Sequence, residues 1–190
     1  MLKIWGRSNS INVQKVLWCC AETGTPFERI DAGMNFGINN TPEYKAMNPN
    51  GLVPLIEDDG LVLWESHAIV RYLARKNGLG TLCPADPRVA ADADRWMEWF
   101  STTLWNHMKP VFWILIRTPP EKRNLAEVED NRQKLAAYLA MADAHLAKNT
   151  YLAGAQFTMG DIPLAVLAHR WFKTVAARPG FQLHCAAPLT

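Results

Sequence analysis

The pattern of apolar residues changes once along this chain of 190 residues, and that change restricts the fold more than any other feature. Over residues 1–80, short apolar runs of strand length alternate with stretches that have one apolar helical face, in the order β-α-β-α-β-β-α. From Pro87 onward the strand patterns stop and only long helical stretches follow. The sequence therefore predicts an α/β domain at residues 1–78, a linker at 79–87 and an all-α domain at 88–190.

Local signals place the individual elements of both domains. The strands are expected at Leu2–Trp5, Phe27–Asp31, Val53–Ile56 and Leu61–Leu63, and the helices of the first domain at Ile11–Thr23, from Thr41 and from Ser66. Long helices are expected at Val89–Met108 and Leu125–Lys148, separated by Pro110 and by Pro119-Pro120. A further helix is expected from Thr158, because Thr158 to Asp161 has the pattern of a capping box.

Charge and hydropathy exclude several classes of function. The formal net charge is +2, and neither half of the chain is polarised enough for nucleic acid or an anionic membrane to be the main partner. No apolar run approaches the roughly 18 residues of a membrane span, and no signal peptide is expected. The four cysteines lack metal-ligand spacing, so we expect no metal site and a reducing, cytoplasmic compartment.

Polar side chains join the first strand to the first helix in the loop from Arg7 to Asn12. Backbone N–H groups at a helix start carry partial positive charge and stabilise a bound anion. Ser8, Ser10 and Asn12 are therefore candidates for an anion site at this helix start. The same three side chains also fit plain N-capping of the helix, and the sequence alone leaves both interpretations open.

Val53-Pro54 follows the turn residues Asn48 to Gly51 and opens a predicted strand. Proline has no N–H to donate, so Pro54 belongs at the first residue of the strand or at a sheet edge. If the bond between these two residues is cis, the backbone N–H and C=O of Val53 face outward and can pair with an extended peptide ligand. Alternatively, a cis bond at this position is a local feature of the turn with no role in binding a ligand.

Glu65-Ser66 stands where the predicted hairpin enters a helix. Ser66 offers its hydroxyl and its backbone N–H at the positive end of that helix, which suits a carboxylate. Glu65 offers a negative charge, which suits an amine, so the pair fits the head group of an α-amino acid. An N-cap serine beside a solvated glutamate is the alternative.

Taken together, these residues resemble the glutathione transferase family. The resemblance rests on S-I-N-V-Q-K-V at 10–16, N-P-N-G-L-V-P-L-I at 48–56, E-S-H-A-I-V-R-Y-L at 65–73 and F-T-M-G-D-I at 157–162. It implies a thioredoxin-like first domain and an all-helical second domain, of the bacterial type. The loop holds no tyrosine, so the chain is closer to the serine and cysteine classes than to the tyrosine class. These motifs are more specific to the fold than to the activity.

The resemblance also implies roles for single residues. In the serine and cysteine classes the residue that activates the thiol lies six positions before the valine of the first helix, which places that role on Ser10. Asn12 is the alternative, because its amide also donates a hydrogen bond, and Ser8 is a third. The other implied ligands of glutathione are Val53 and Pro54 at the cysteinyl residue, Glu65 and Ser66 at the γ-glutamyl end, and Asn39 at the glycine end, where related classes have a basic side chain.

An electrophile pocket is implied between this loop and the first long helix, built from Arg7, Trp99, Thr103 and His107. For His107, a surface or core histidine is the alternative. The implied activity is conjugation of glutathione, as co-substrate, to small apolar electrophiles by a cytoplasmic homodimer with a role in detoxification. Two alternatives stay open: another glutathione-dependent enzyme (a thiol reductase, dehalogenase or isomerase), or a non-catalytic binding or regulatory protein.

The C-terminal part of the chain departs from the family pattern. Arg170-Trp171-Phe172 is followed within a few residues by Arg178-Pro179, where the family has another helix and its loops. The resemblance therefore implies that the all-α domain lacks about one helix.

Overall fold

The computed structural model describes residues 1–176, with side chains through His169. The chain divides into two compact units, one of Met1–Asn77 with the last helix from Ile162 onward, and one of Gly78–Asp161. The predicted domain boundaries stay a prediction, and residues 177–190, where the C-terminal shortening is expected, lie outside the described residues. Within residues 1–176 no helix is long and apolar enough to cross a bilayer.

The strands and helices follow the predicted order. The strands are β1 (Leu2–Trp5), β2 (Phe27–Ile30), β3 (Leu55–Asp58) and β4 (Leu61–Trp64). The α-helices are α1 (Ile11–Glu22), α2 (Pro42–Met47), α3 (Ser66–Asn77), α4 (Pro87–Trp99), α5 (Trp105–Phe112), α6 (Leu125–Leu146) and α7 (Asp161–Ala176). Short 3₁₀ segments lie at Met34–Phe36 and Pro120–Lys122, and π-helical segments lie at Phe100–Leu104 and Trp113–Arg117.

The four strands form one mixed sheet in the order β2-β1-β3-β4. β1 runs parallel to β2 and antiparallel to β3, and β3 pairs antiparallel with β4. The tight turn between β3 and β4 has positive φ at both Asp59 (50°) and Gly60 (87°), as a type I′ hairpin turn requires. The predicted fold class, a thioredoxin-like α/β domain followed by helices, is confirmed.

Two groups of buried side chains hold the first unit together. Helices α1 and α3 pack on each other and bury side chains completely at Val13, Val16, Ile69 and Leu73. A second cluster consists of Ala32, Tyr44 and Leu55, with Trp5, Met47 and Val53 packed against it. Because Val53 belongs to this cluster, the turn before β3 is fixed against α2 and the sheet.

The corner between β4 and α3 is held by Asp58 at the end of β3. Its carboxylate accepts hydrogen bonds from the Tyr72 hydroxyl (2.8 Å) and the Lys76 ammonium (2.6 Å) on α3. Burial alone raises the pKa of Asp58, but these two hydrogen bonds and the charge of Lys76 outweigh burial and hold the pKa below its ordinary value. The hairpin is therefore tied to the helix that begins at Ser66.

Two predicted element starts are wrong. β3 begins at Leu55 and not at Val53, because Pro54 has no N–H for the ladder and the last pair with β1 is Trp5 with Leu55. The last helix begins at Asp161 and not at Thr158, because Thr158 and the two residues after it form a turn with partners outside the helix. The N–H groups of Thr158 and Gly160 donate to side-chain oxygens, and that of Met159 donates to the carbonyl of Leu82. Other predicted starts and ends differ by small shifts; α4, for example, begins at Pro87 and not at Val89.

The prediction that Pro110 separates two helices is also wrong. Pro110 lies inside α5, and the helical path continues from Pro87 through Arg117 by way of both π-helical segments. Proline removes one i→i−4 hydrogen bond from a helix. Where the turns on either side keep their backbone hydrogen bonds, the helix bends at the proline and continues. Pro119 and Pro120 lie in the connection to α6, as predicted.

The second unit contains one very close backbone approach. A Cβ atom at Gly160 would lie 2.8 Å from the carbonyl oxygen and 2.9 Å from the Cα of Ala93 on α4. Only glycine fits there without a backbone shift. The turn before α7 is therefore packed directly on α4.

Candidate functional site

The loop between β1 and α1 is anchored to the chain that follows β2. The N–H of Gly6 donates to the carbonyl of Ile30 (2.8 Å), and that of Arg7 donates to the carbonyl of Ala32 (3.1 Å). A Cβ atom at Gly6 would lie 2.4 Å from a methyl of Val13, so a side chain at this position would push the loop off the helix. The loop therefore holds Ser10 in a fixed position at the start of α1.

Ser10 is the N-cap residue of α1 by position, yet its side chain makes no capping hydrogen bond. It is 7% exposed, and its hydroxyl has no hydrogen-bond partner within the described residues. Plain N-capping therefore does not account for this serine. Ser8, the third candidate of the loop, lies exposed in the turn before it.

Asn12 lies in the first turn of α1, and its Oδ1 accepts a hydrogen bond from Nζ of Lys15 (3.0 Å). The same Nζ lies 3.0 Å from Nε2 of His67 in the first turn of α3. Lys15 is 2% exposed, and burial lowers its pKa to about 7 although the charge of Glu65 acts in the opposite direction. Lys15 thus connects the first turn of α1 with the start of α3.

Sequence reasoning missed both Lys15 and His67. One signal was present, because Lys15 falls on the buried stripe of α1 with Ile11 and Cys19, where a charged residue is unusual. No signal in the sequence pairs Lys15 with His67, which lies 52 positions further along the chain.

Val53 and Pro54 lie immediately before β3, and the peptide bond between them is cis. Within the described residues, neither the N–H nor the C=O of Val53 makes a hydrogen bond. Gly33 lies beside this residue: a Cβ there would be 3.4 Å from both Val53 methyls and 3.0 Å from a guanidinium nitrogen of Arg7. Arg7 and Val53 therefore both lie close to Gly33.

Glu65 and Ser66 form the corner between β4 and α3. Glu65 has φ of 71°, a left-handed backbone that a non-glycine residue adopts only when its surroundings impose it, and its side chain is exposed. Ser66 is the first residue of α3 and is 6% exposed, and its hydroxyl and N–H have no partner within the described residues. The corner presents an exposed carboxylate beside two available donors.

Asn39 lies in the loop before α2, and its Nδ2 donates to the carbonyl of Gly51 (2.7 Å). This bond ties the loop to the turn that precedes Val53 and occupies one of the two amide hydrogens of Asn39. The role of Asn39 at the glycine end of a ligand stays a prediction.

The four residues predicted for an electrophile pocket lie in different units, Arg7 in the first and the others in the second. Trp99 ends α4 and meets Trp96 edge to face (5.3 Å between ring centres), and Thr103 lies in the π-helical segment that follows. Nδ1 of His107 lies 3.0 Å from Oδ1 of Asn131, and its ring stacks on Tyr138. His107 therefore has partners inside its own unit, and the pocket stays a prediction.

The described cysteines are buried. Burial raises the pKa of the Cys19 and Cys20 thiols to about 12, and nearby acidic groups add to the effect. These two thiols stay protonated at neutral pH and are not nucleophiles. Cys185 lies outside the described residues, and among residues 1–169 no three His, Cys, Asp or Glu side chains are grouped to hold a metal ion.

Comparison with known proteins gives one consistent result. The family description "Glutathione S-transferase, N-terminal domain" matches residues 1–75, and "Glutathione S-transferase, C-terminal domain" matches residues 104–180. Glutathione S-transferase GstB of Escherichia coli K12 is 44% identical over 187 residues, which cover 96% of this chain and 90% of that protein. Glutathione S-transferase 3 of Zea mays is 35% identical over an alignment of 212 residues, which covers 98% of this chain and 94% of that protein.

Solved structures agree with the sequence relatives. The glutathione-bound crystal structure of the theta class glutathione S-transferase from Xanthomonas axonopodis pv. citri has a TM-score of 0.85 and 41% identity, with 100% of this chain and 99% of that chain covered. The crystal structure of glutathione transferase F7 from Populus trichocarpa has a TM-score of 0.78 and 26% identity, with 96% of this chain and 97% of that chain covered.

Proposed function

This chain belongs to the glutathione S-transferase family, and we propose that it adds the thiolate of glutathione to small apolar electrophiles. One observation carries the proposal: Ser10 stands at the start of α1 with a hydroxyl that no capping bond uses. That hydroxyl is available to a sulfur atom held at the helix N-terminus. The similarity to a whole-length relative whose structure holds glutathione supports the identity of the thiol.

Two effects at Ser10 favour a thiolate over a thiol. The hydroxyl donates a hydrogen bond to the sulfur, and the N-terminus of α1 adds positive potential. Lowering a thiol pKa from ~8.5 to ~6.5 needs about 2.7 kcal/mol of differential stabilisation. One hydrogen bond to a charged atom together with a helix terminus supplies an energy of that size. Asn12 stays the alternative donor.

The other groups of the first unit hold the rest of the tripeptide. The N–H and C=O of Val53 pair with the backbone of the cysteinyl residue in the manner of an added strand, with Pro54 fixing the turn. Ser66 binds the α-carboxylate of the γ-glutamyl group with its hydroxyl and N–H, and Glu65 binds the amine. Ser8 and Asn39 are assigned to the edges of the site, Asn39 at the glycine end.

The chemical step needs no covalent enzyme intermediate. The sulfur forms a bond to an electrophilic carbon, a leaving group such as chloride departs with the bonding electron pair, and the thiol proton passes to solvent. We assign Arg7, Trp99, Thr103 and His107 to the electrophile side, and the indole of Trp99 suits an apolar substrate. Catalysis then consists of thiolate stabilisation and proximity.

A thiol reductase is the second candidate function, and the loop chemistry disfavours it. A mixed-disulfide mechanism needs a nucleophilic cysteine, and the segment from Arg7 to Asn12 contains none. The nearest cysteines along the chain, Cys19 and Cys20, have raised pKa values.

We also propose that the protein is a cytoplasmic homodimer with a role in detoxification. Its first unit exposes apolar side chains that a partner subunit would cover, at Leu52, Leu61, Val62 and Trp64. The division into domains at 1–78 and 88–190, the second lacking about one helix, is part of the same proposal.

The proposed function is tested by offering the purified protein and glutathione three substrates: an activated aryl chloride, an organic hydroperoxide and a mixed disulfide. We expect conjugation of the aryl chloride to be catalysed. Glu65→Gln is expected to raise the KM for glutathione by about tenfold or more, because it removes the charge that meets the amine. Glu57→Gln, on β3, serves as the matched control and should leave this KM unchanged.

Each other outcome of this assay has a defined meaning. Turnover of the mixed disulfide alone would support the thiol reductase, and turnover of the hydroperoxide alone would support another glutathione-dependent enzyme. Binding of glutathione without turnover of any substrate would support the non-catalytic protein. An unchanged KM in Glu65→Gln would contradict the assignment of Glu65 to the γ-glutamyl amine.

A further inference from the structure

Lys15 is a buried lysine that the proposed function does not use. It lies in α1, one turn after Asn12, and is 2% exposed. Burying an ammonium group is costly unless its hydrogens meet acceptors. Two such acceptors are present, Oδ1 of Asn12 and Nε2 of His67, each 3.0 Å from Nζ.

These contacts fix the orientation of the Asn12 amide. In its charged form, which dominates below its pKa of about 7, Lys15 has three hydrogens to donate and no acceptor, so it faces the oxygen of the Asn12 amide and not its NH₂ group. With Oδ1 turned to Lys15, the two hydrogens of Nδ2 point away from it, and Nδ2 has no partner within the described residues. Asn12 is therefore held as a donor, which is the form that a thiolate requires.

Lys15 also reaches the other end of the proposed glutathione site. His67 follows Ser66 in α3, and the charge of Glu65 acts on Lys15. In its charged form Lys15 donates to Nε2 of His67, which places the histidine proton on Nδ1. One side chain thus contacts α1 beside the thiol and α3 beside the γ-glutamyl group.

We propose that Lys15 is a positioning residue for catalysis: it holds Asn12 with Nδ2 directed at the glutathione sulfur and couples that amide to the start of α3 through His67. This inference rests on the proposed function, because it assumes that glutathione binds at this loop. It assigns Asn12 a supporting donor role beside Ser10.

The test compares the wild-type protein with Lys15→Met, which keeps the length of the side chain and removes its donors. The readout is the thiol pKa of bound glutathione, measured by the ultraviolet absorbance of the thiolate. We expect Lys15→Met to raise the thiol pKa by about one unit. At pH values below the thiol pKa of both proteins, kcat/KM should then fall by about tenfold. The dissociation constant of S-methylglutathione, which has no thiol, should change much less than kcat/KM, because Val53, Glu65 and Ser66 still bind the peptide.

Further variants separate positioning from a structural role. In the background of Asn12→Ala, Lys15→Met should cause no additional shift of the thiol pKa, because the amide it positions is gone. Lys15→Arg keeps a group that only donates, so it should hold Oδ1 of Asn12 in the same orientation and keep a thiol pKa close to the wild-type value. It also serves if Lys15→Met does not fold. Lys134→Met on the exposed face of α6 is the matched control.

The outcomes distinguish this inference from the proposed function. If the wild-type protein does not lower the thiol pKa, the proposed function fails first. If the wild-type protein lowers the thiol pKa but Lys15→Met has the same thiol pKa, the role of Lys15 is overturned and the proposed function stands. The same conclusion follows if Lys15→Met shifts the thiol pKa equally in the wild-type and Asn12→Ala backgrounds.

Discussion

Replacing Asp161 by alanine is expected to lower the free energy of unfolding by about 4 kcal/mol. The carboxylate of Asp161 accepts hydrogen bonds from the N–H of Leu152 (2.8 Å) and from the N–H (2.9 Å) and hydroxyl (3.2 Å) of Thr158, all of them buried. Alanine removes the acceptor and leaves the donors inside the protein, where each costs about 1–3 kcal/mol. The hydroxyl can rotate to another acceptor, so the two N–H groups account for most of the loss.

Urea unfolding of matched variants measures this effect. Asp161→Asn keeps the shape of the side chain and one of its oxygens. We expect it to lower the free energy of unfolding by about half as much as Asp161→Ala does. Asp130→Ala removes an exposed carboxylate from α6, where it pairs with Lys134, and should change stability by less than about 0.5 kcal/mol. A loss below about 1 kcal/mol in Asp161→Ala would contradict the account of this turn.

Ser10→Ala is expected to lower kcat/KM for conjugation by about 100-fold, which corresponds to about 2.7 kcal/mol of lost transition-state stabilisation. The hydroxyl is the only group of Ser10 that the substitution removes, and within the described residues it supports no other part of the fold. The free energy of unfolding should therefore change little while the thiol pKa of bound glutathione rises. Asn12→Ala is expected to cost about tenfold, as fits a supporting donor.

The comparison of these two variants decides which donor activates the thiol. Thr81→Val, which removes an exposed hydroxyl of the second unit, is the control for the loss of a hydroxyl elsewhere and should keep full activity. Full turnover in Ser10→Ala together with its loss in Asn12→Ala would reverse the two assignments and show that Ser10 is not the activating residue.

Much of the first unit was predictable because its signals are local. The Asp-Gly turn requires positive φ at two positions, and the structure has it at Asp59 and Gly60. Apolar patterns together with capping and turn residues located every strand and α-helix up to Asn77 to within a few residues, whereas the short 3₁₀ segment at Met34–Phe36 was not predicted. The motifs around Val53 and Glu65 located corners whose backbone is unusual, and such corners depend on only a few neighbouring residues.

The remaining features depend on contacts that no local pattern encodes. Whether Pro110 ends a helix or lies within one is decided by the turns on either side, and here the path widens into π-helical segments that have no sequence signature. The contact between Lys15 and His67 joins two helices that meet only after the sheet has formed. Whether Ser10 caps α1 with its side chain depends on its rotamer, which residue type alone does not fix.

The central claim is that this protein turns bound glutathione into a thiolate, and one titration tests it directly. The ultraviolet absorbance of the thiolate is followed against pH with glutathione bound to the wild-type protein. We expect a thiol pKa well below the ~8.5 of an ordinary cysteine thiol, falling near 6.5 if the hydroxyl of Ser10 and the N-terminus of α1 act together. Saturable binding with an unshifted thiol pKa would contradict the claim.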